Sequence, residues 1–329
     1  ASISFATGGS SSAGIRAVGS DVVSIASGSV STLGSYSDGI QAYGAASSVV
    51  VSEIVTTAGA SSEGIFSRSQ DGSVSVTSAS VSTEGDYSDG ISATSGAYSS
   101  GAAGNTVVES GTVVTSGDRA DGIQASSYRG NVMVESDSVV TTGTLSRGIV
   151  LFGGAYIGGP GNITLDSGTV STSGFNATGI NVRSHAGDID VTSGTVTTIG
   201  SGSDGIYASA RSYGEASGNV VVESLSVTTA GEYSTAIDAR SQGGDVTVTS
   251  AAVETAQFYS LGIHAFAGSY GLSAVGNVTV ESLAAETAGS SSTGIKAHSQ
   301  GGNVAVTSGS VVTAGGSSRG IWAYTQGSG

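Results

Sequence analysis

The chain has 329 residues, and its composition excludes several classes of protein before any motif is considered. It contains 54 glycines, one proline and no cysteine, so neither a disulfide framework nor a thiolate metal site can form. Ten basic against 25 acidic residues give a net charge of -15, which repels phosphate backbones and anionic lipid head groups. No apolar run approaches the roughly 20 residues of a membrane-spanning helix. We therefore expect neither nucleic acid binding nor membrane insertion by this segment.

An isoleucine that usually follows glycine recurs along the whole chain at intervals of 25 to 32 residues. The recurring residues are Ile15, Ile40, Ile65, Ile91, Ile123, Ile149, Ile180, Ile206, Ile237, Ile263, Ile295 and Ile321. A threonine stands eight positions before each of them. A fixed period of this kind indicates a repeat architecture, because equivalent residues keep their offsets when they stack on one another.

Short alternating stretches separate these anchors, for example the Val-Thr-Val-Thr run at 246–249. Alternation over this length predicts half-buried strands, about three in each unit, between glycine-rich bends. We predict an all-β fold, a right-handed parallel β-helix of about twelve coils with 25–32 residues and three short strands per coil. Handedness follows the general preference of parallel crossovers. We expect residues 1–329 to form a single β-helix segment, about 58 Å long, within a longer repeat array.

Two polar columns are predicted to be structural. Strand parity places the threonines on the inward face with the isoleucines, as a buried hydroxyl ladder. This ladder includes Thr115, Thr141, Thr172, Thr198 and Thr229. A second column, in which each member follows glycine, would let stacked side-chain amides hydrogen-bond along the rod. It includes Asn105, Asn131, Asn162, Asn219, Asn277 and Asn303, with Asp188 and Asp245 at equivalent positions.

Four of the longer units insert a loop that carries a tyrosine seven residues after the isoleucine. These tyrosines are Tyr98, Tyr156, Tyr213 and Tyr270. Loops on alternate coils would place them along one flank at intervals of about 10 Å. In one interpretation each tyrosine packs over its own loop. In the other they form an aromatic ridge that binds sugar rings or a second rod, because binding residues concentrate on loops of a rigid scaffold.

Charged residues also keep the register of the repeat. Acidic residues end the middle strand of longer units at Glu53, Glu109, Asp166, Glu223 and Glu281, and threonine takes this place in shorter units except at Glu135. A basic column three residues after the isoleucine contains Arg68, Arg183, Arg240 and His298. Like charges on adjacent coils repel, so the alternation favours solubility. Surface ion pairs or simple solvation account for both columns.

The sequence predicts neither a metal site nor a catalytic centre. Acidic residues stand two positions before the isoleucine at Asp38, Asp89, Asp121 and Asp204. Arg147 and Arg319 occupy equivalent positions, however, and a dedicated calcium site would not tolerate them. Asp188 belongs to the asparagine column at the corner and Asp190 to the strand that follows, so we expect their side chains to diverge. No nucleophile, base and orienting group converge, so we expect no enzyme activity and no cofactor.

Several motifs resemble the passenger repeats of large bacterial autotransporters. They are Ser-Asp-Gly-Ile-Gln-Ala around Asp38, Gly-Asn-Val-Ala-Val-Thr-Ser at 302–308 and Val-Val-Thr-Ala-Gly at 311–315. The resemblance covers nearly the whole chain. It implies a type V secreted β-helix at the bacterial cell surface, commonly an adhesin or a stalk, and therefore an extracellular location.

These observations favour a non-enzymatic extracellular β-helix with a structural or adhesive function, namely a surface stalk, an adhesin or a filament segment. The alternative is a β-helix that binds or processes glycans at the tyrosine-bearing flank. An ice-binding face is less favoured because it needs a flat, regular outward array, and the outward neighbours of the threonines are irregular. The expected partners are glycans, other cell-surface proteins, or further copies of the chain that associate end to end or side by side.

Overall fold

The computed structural model describes residues 4–96, 104–154, 159, 161–212, 217–268 and 276–326. In these ranges the chain forms two parallel sheets of twelve strands each. Each strand pairs with the strands two places before and after it in sequence, and the four terminal strands pair on one side only. A longer and a shorter strand alternate along the chain, and each successive pair makes one coil, numbered here 1 to 12. The predicted parallel β-helix of about twelve coils is confirmed.

The strands divide between the two sheets by length and by position in the coil. The long-strand sheet consists of β1 (Ser4–Thr7), β3 (Val22–Thr32), β5 (Ser47–Thr57), β7 (Val74–Thr83), β9 (Thr106–Thr115), β11 (Val132–Thr141), β13 (Ile163–Thr172), β15 (Ile189–Thr198), β17 (Val220–Thr229), β19 (Val246–Thr255), β21 (Val278–Thr287) and β23 (Val304–Thr313). The short-strand sheet consists of β2 (Ile15–Gly19), β4 (Ile40–Gly44), β6 (Ile65–Ser69), β8 (Ile91–Ser95), β10 (Ile123–Ser127), β12 (Ile149–Gly153), β14 (Ile180–His185), β16 (Ile206–Arg211), β18 (Ile237–Ser241), β20 (Ile263–Ala267), β22 (Thr293–Gln300) and β24 (Arg319–Gln326).

The long strand is bent near its middle, as β19 illustrates. Ser250 points inward, Ala251 and Ala252 both lie on the outer side, and Val253 points inward again. The pairing of β19 with β17 skips Ala251. Two consecutive outward residues make a corner because they break the strict alternation of a straight strand. The three predicted strands of a coil are therefore the two halves of a long strand and one short strand, hydrogen-bonded into two sheets.

The interior of the rod is thin and consists of stacked side chains of the same type. Ile149 pairs in register with Ile123 and with Ile180, and all three are fully buried. Valines of the long strands stack in the same way, as Val139 and Val170 show. Each buried aliphatic side chain contributes roughly 1.5–3 kcal/mol relative to exposure. Like-on-like stacking lets a chain with few large residues fill its core.

The inward threonines close the turn between the long and the short strand. The predicted members from Thr115 to Thr229 are buried and stack in register. In coils 1 to 9 the threonine Oγ1 donates a hydrogen bond to the carbonyl five residues later, as from Thr198 to Ser203 O at 2.8 Å. The turn contains a residue with positive φ, such as Asn176 at 51°. The hydroxyls therefore bond within their own coil and hold a backbone conformation that L-residues rarely adopt.

A glycine six positions before the isoleucine lets successive turns approach closely. A Cβ atom on Gly200 would lie 1.7 Å from the carbonyl oxygen of Gly174 in the preceding coil. Gln257 replaces this glycine in coil 10. The Oγ1 atoms of Thr255 in the same coil and Thr287 in the next have no hydrogen-bond partner in the described part of the chain. The threonine bond to the turn is thus absent in coils 10 and 11.

The asparagine column lies at the corner that precedes the long strand. The Oδ1 atom of each member accepts a hydrogen bond from the backbone N–H of its counterpart in the following coil, for example from Asn131 N to Asn105 Oδ1 at 2.9 Å. The bonds from Asp188 N to Asn162 Oδ1 and from Asn219 N to Asp188 Oδ1 continue it, as do those to Asn219, Asp245 and Asn277. The column is therefore held by bonds from backbone N–H groups to side-chain oxygens, rather than by the expected bonds between side-chain amides. Aspartate fits as well as asparagine because the position needs only an acceptor.

Replacing Thr198 with valine tests the role of the threonine hydroxyl. Valine preserves the shape of the side chain but leaves the buried Ser203 carbonyl without its donor, so we expect Thr198→Val to lower the free energy of unfolding by about 1–2 kcal/mol. Urea denaturation followed by circular dichroism measures the change.

The matched control is Thr255→Val, at an equally buried position where the hydroxyl has no partner among the described residues. This substitution should leave the stability unchanged or raise it, because an unsatisfied buried hydroxyl carries a desolvation cost. Equal losses in the two variants would show that the hydrogen bond to the turn contributes nothing.

Candidate functional site

The two sheets present outer faces of different chemistry. The outer face of the short-strand sheet is formed by residues one and three positions after the isoleucine. Its aromatic and cationic members are Arg16, Tyr43, Phe66, Arg68, Phe152, Arg183, Tyr207, Arg240, His264, Phe266, Lys296, His298, Trp322 and Tyr324. The outer face of the long-strand sheet carries Glu109, Glu135, Asp166, Asp190, Glu223, Glu254, Glu281 and Glu286. The rod is therefore cationic and aromatic on one side and acidic on the other.

The acidic column differs in one position from the expected pattern. Glu109, Glu135 and Asp166 stack on three consecutive coils, and threonines separate the later members. Glu53 was expected in this column, but Val51 is the residue that pairs with Thr77, which puts Glu53 at the bend of its long strand. The prediction for Glu53 was wrong because Glu53 stands 12 residues before Ile65, whereas Glu109 stands 14 residues before Ile123, so the two residues are not in register.

The strongest concentration of positive charge on the short-strand face surrounds Tyr207 in coils 7 to 9. The guanidinium carbon of Arg183 lies 5.2 Å from the centre of the Tyr207 ring, and that of Arg240 lies 5.8 Å from it. Arg211 donates from Nη2 to the Tyr207 hydroxyl at 2.8 Å and from Nε to Ser209 Oγ at 3.0 Å. We call Arg183, Tyr207, Arg211 and Arg240 the arginine cluster. The phenol ring holds three guanidinium groups near one another through cation–π and hydrogen-bond contacts.

A buried aspartate fixes the orientation of one of these arginines. Asp238 is 4% exposed and accepts hydrogen bonds from Arg240 Nε at 2.6 Å and from Arg240 Nη2. His264 Nδ1 lies 3.1 Å from the same carboxylate. Burial opposes ionisation of Asp238, but the bonds to His264 and Arg240 outweigh burial and lower its pKa. The bidentate pair leaves Arg240 with a fixed geometry, whereas Arg183 and Arg211 form no ion pair among the described residues.

Aromatic rings flank the cluster in the same column. The pairing of the short strands places Phe152, Arg183, Ser209, Arg240 and Phe266 on five consecutive coils. At about 4.8 Å per coil the column extends roughly 19 Å. Both phenylalanine side chains are half-buried, so part of each ring is accessible. The surface thus offers apolar rings at both ends and guanidinium groups between them.

A shallow groove of about 410 Å³ lies on the same face at coils 3 to 6. Phe66, Arg68, Gln124, Tyr128 and Phe152 line it together with smaller residues. Apolar rings beside a few polar groups are typical of ligand sites. The groove adjoins the arginine cluster through Phe152, which pairs with Arg183.

The acidic column two residues before the isoleucine forms a backbone-binding ladder at the turn. Asp38 Oδ1 accepts a hydrogen bond from Glu63 N at 2.8 Å, and Asp89 Oδ1 accepts one from Asp121 N at 2.8 Å. Asp121 binds the guanidinium of Arg147 with both carboxylate oxygens. These carboxylates therefore accept hydrogen bonds from backbone N–H groups of the neighbouring coil. No group of three or more acidic or histidine side chains able to hold a metal ion occurs in the described ranges.

Burial raises the pKa of three carboxyl groups in or beside this ladder. The pKa of Glu63 is raised to about 9 by burial and by the charges of Asp89 and Asp38, against a hydrogen bond with Ser92. Burial and the charge of Asp121 raise the pKa of Asp89 to about 7. Burial likewise raises the pKa of Asp204 to about 6. At neutral pH Glu63 is therefore protonated, although one of its oxygens, Oε2, has no hydrogen-bond partner among the described residues.

The four loop tyrosines, Tyr98, Tyr156, Tyr213 and Tyr270, lie outside the described residues. The basic column three residues after the isoleucine holds Arg68, Arg183 and Arg240 as expected. Sequence reasoning missed the convergence of Tyr207 and Arg211 on this column. Tyr207 and Arg211 are the first and fifth residues after Ile206. Both positions lie on the same side of the coil as the basic column, so comparing these positions between units could have predicted the contact.

In the part of the chain that the structure describes, no helix has the length and apolar character needed to cross a membrane. Comparison with family models, with curated proteins and with solved structures finds no match to this chain.

Proposed function

We propose that this chain is a non-enzymatic, extracellular rod with a structural and adhesive role: a segment of a bacterial surface stalk, adhesin or filament of the autotransporter passenger type. One observation supports the adhesive role above all. The outer face of the short-strand sheet collects aromatic and cationic side chains over many coils, and the opposite sheet is acidic. A rod that only contacts solvent does not need aromatic and cationic side chains on one sheet and acidic side chains on the other. Exposed aromatic and arginine residues are enriched where proteins bind partners.

The proposed partners are glycans or other cell-surface proteins. Aromatic rings provide flat apolar platforms for the apolar faces of sugar rings, and the neighbouring arginine and glutamine side chains provide donors for hydroxyl and acidic groups. The repetition of the coils multiplies weak contacts along an extended ligand, which raises overall binding without a deep pocket.

The adhesive face is tested with the double variant Phe66→Ser/Phe152→Ser. We expect retention of the rod on a panel of immobilised bacterial and host glycans to fall at least tenfold, since each ring provides apolar contact area. The matched control, Val51→Ser/Met133→Ser, removes two exposed apolar side chains from the opposite sheet and should retain wild-type binding. Equal retention of both double variants, or no retention of the wild type on any surface, would contradict the adhesive role.

The non-enzymatic assignment has its own test. Incubation with the same glycans should release no products. Turnover that Asp188→Asn or Asp190→Asn removes would overturn the assignment.

A second candidate is a β-helix that binds or processes glycans at its tyrosine-bearing loops. The groove lined by Phe66, Arg68, Tyr128 and Phe152 favours this candidate because it extends to Gly154, next to the segment of sequence that carries Tyr156. Tyr156→Ala together with Tyr213→Ala should abolish glycan retention if the loops make the contact. Unchanged retention would leave the sheet face as the binding surface.

A further inference from the structure

We infer that the arginine cluster and the phenylalanines on either side of it form a binding site for an acidic oligosaccharide, in which arginines bind sugar carboxylates and rings stack on Phe152 and Phe266. This inference rests on the proposed adhesive function and names its ligand class.

The order of side chains along the column matches the pattern of groups in an acidic oligosaccharide. Phe152, Arg183, Ser209, Arg240 and Phe266 occupy consecutive coils in one register. An oligosaccharide that carries a carboxylate on its sugar units presents apolar ring faces and anionic groups at regular intervals along an extended chain. A column with aromatic rings at both ends and arginines between them matches that pattern, and the buried Ser209 at its centre supports Arg211 from below. A small inorganic anion would leave both rings unused.

Neighbouring side chains hold the guanidinium groups of the arginine cluster in fixed positions. Asp238 and Tyr207 orient Arg240, and the Tyr207 ring also lies beneath Arg183. Tyr207 and Ser209 hold Arg211 through two hydrogen bonds. Preorganisation reduces the side-chain entropy that binding would otherwise remove, and the planar guanidinium fork matches a carboxylate with two hydrogen bonds.

The positive charge of the arginine cluster contrasts with the negative charge of the whole chain. The whole chain has a net charge of -15, so long-range forces oppose dense polyanions such as nucleic acids. Arg183 and Arg211 are both exposed, and neither forms an ion pair with a described residue. A local positive cluster on an acidic rod therefore favours a short ligand of moderate charge that lies within the five coils.

The test uses trigalacturonate, which carries three carboxylates and fits within the five coils, and its methyl ester, which has the same sugar chain without the charges. In calorimetric titration we expect the acid to bind at least tenfold more tightly than the ester, and its affinity to fall as sodium chloride is raised to 0.5 M. Arg183→Gln should weaken binding of the acid at least tenfold. The control Arg119→Gln removes the same charge from an arginine over Tyr87 at a turn, and should leave binding unchanged. Thermal unfolding verifies that both variants are folded.

Each other outcome overturns the inference in a distinguishable way. Equal binding of acid and ester, lost in Phe66→Ser/Phe152→Ser, would retain glycan adhesion and reject the acidic ligand. Equal binding of a single-stranded DNA hexamer, weakened by Arg183→Gln, would indicate a general polyanion site. Self-association in sedimentation velocity that Arg183→Gln abolishes would identify the acidic sheet of a second copy as the occupant. Absence of binding to every glycan would reject both the inference and the proposed function.

Discussion

Ile206→Asp is expected to lower the free energy of unfolding by more than about 4 kcal/mol, because it places a carboxylate in the interior of the rod without a partner. Ile206 is fully buried and stacks between Ile180 and Ile237. The residues that stack on Ile206 are aliphatic, and the inward hydroxyl of Thr198 in the same coil is already bonded to Ser203 O, so neither stabilises a charge. Urea denaturation followed by circular dichroism measures the loss.

The position of Ile206 in coil 8 adds a second expected result. In a solenoid each coil is stabilised chiefly by its neighbours, so a defect in a central coil uncouples the segments on either side. We expect the unfolding transition of Ile206→Asp to broaden or to split into two. Ile206→Val, which only removes one methylene group, should cost about 1 kcal/mol and keep a single transition.

A surface control separates burial from charge. Thr247→Asp adds the same charge to an outward position of the long-strand sheet and should change stability by no more than about 0.5 kcal/mol. Equal effects of Ile206→Asp and Thr247→Asp would contradict the stacked interior.

Glu63→Gln is expected to stabilise the protein at alkaline pH by about 1–3 kcal/mol. The folded protein retains a proton on Glu63 up to a pKa of about 9, whereas the unfolded chain releases it near the ordinary value of 4.5. The stability associated with this group is therefore fully present below pH 4.5 and is lost as the pH rises toward 9, at up to about 1.4 kcal/mol per pH unit. Asp89, with a pKa raised to about 7, acts in the same direction between about pH 4 and 7.

The measurement is the free energy of unfolding at pH 5 and at pH 8.5. Wild type should be more stable at pH 5, and Glu63→Gln should reduce this difference because glutamine has no proton to release. The control Glu84→Gln removes a carboxylate from an exposed position and should not reduce it. If Glu63→Gln instead keeps the full pH dependence of the wild type, the protonated state of Glu63 in the folded protein is wrong.

The prediction of the fold from sequence succeeded because a β-helix repeats one local environment in every coil. Ile149 meets Ile123 and Ile180 in the same surroundings, so the same residue type is selected at the same offset. The register of Glu53 was wrong for a different reason. Glu53 lies two residues beyond the acidic column, at the bend where strand pairing skips a residue, and an outward residue has no packing partner that restricts its type.

The amino-acid sequence by itself determined the period, the inward columns and the separation of strands by glycine-rich turns. Burial ties these features to residue type, since a side chain of the wrong size or polarity cannot occupy a stacked interior. Only the tertiary structure decided that Tyr207 and Arg211 converge with Arg183 and Arg240, the predicted members of the basic column, on one face. Outward side chains are free of the packing constraint, so their spacing along the chain does not specify their contacts; strand register and side-chain direction do.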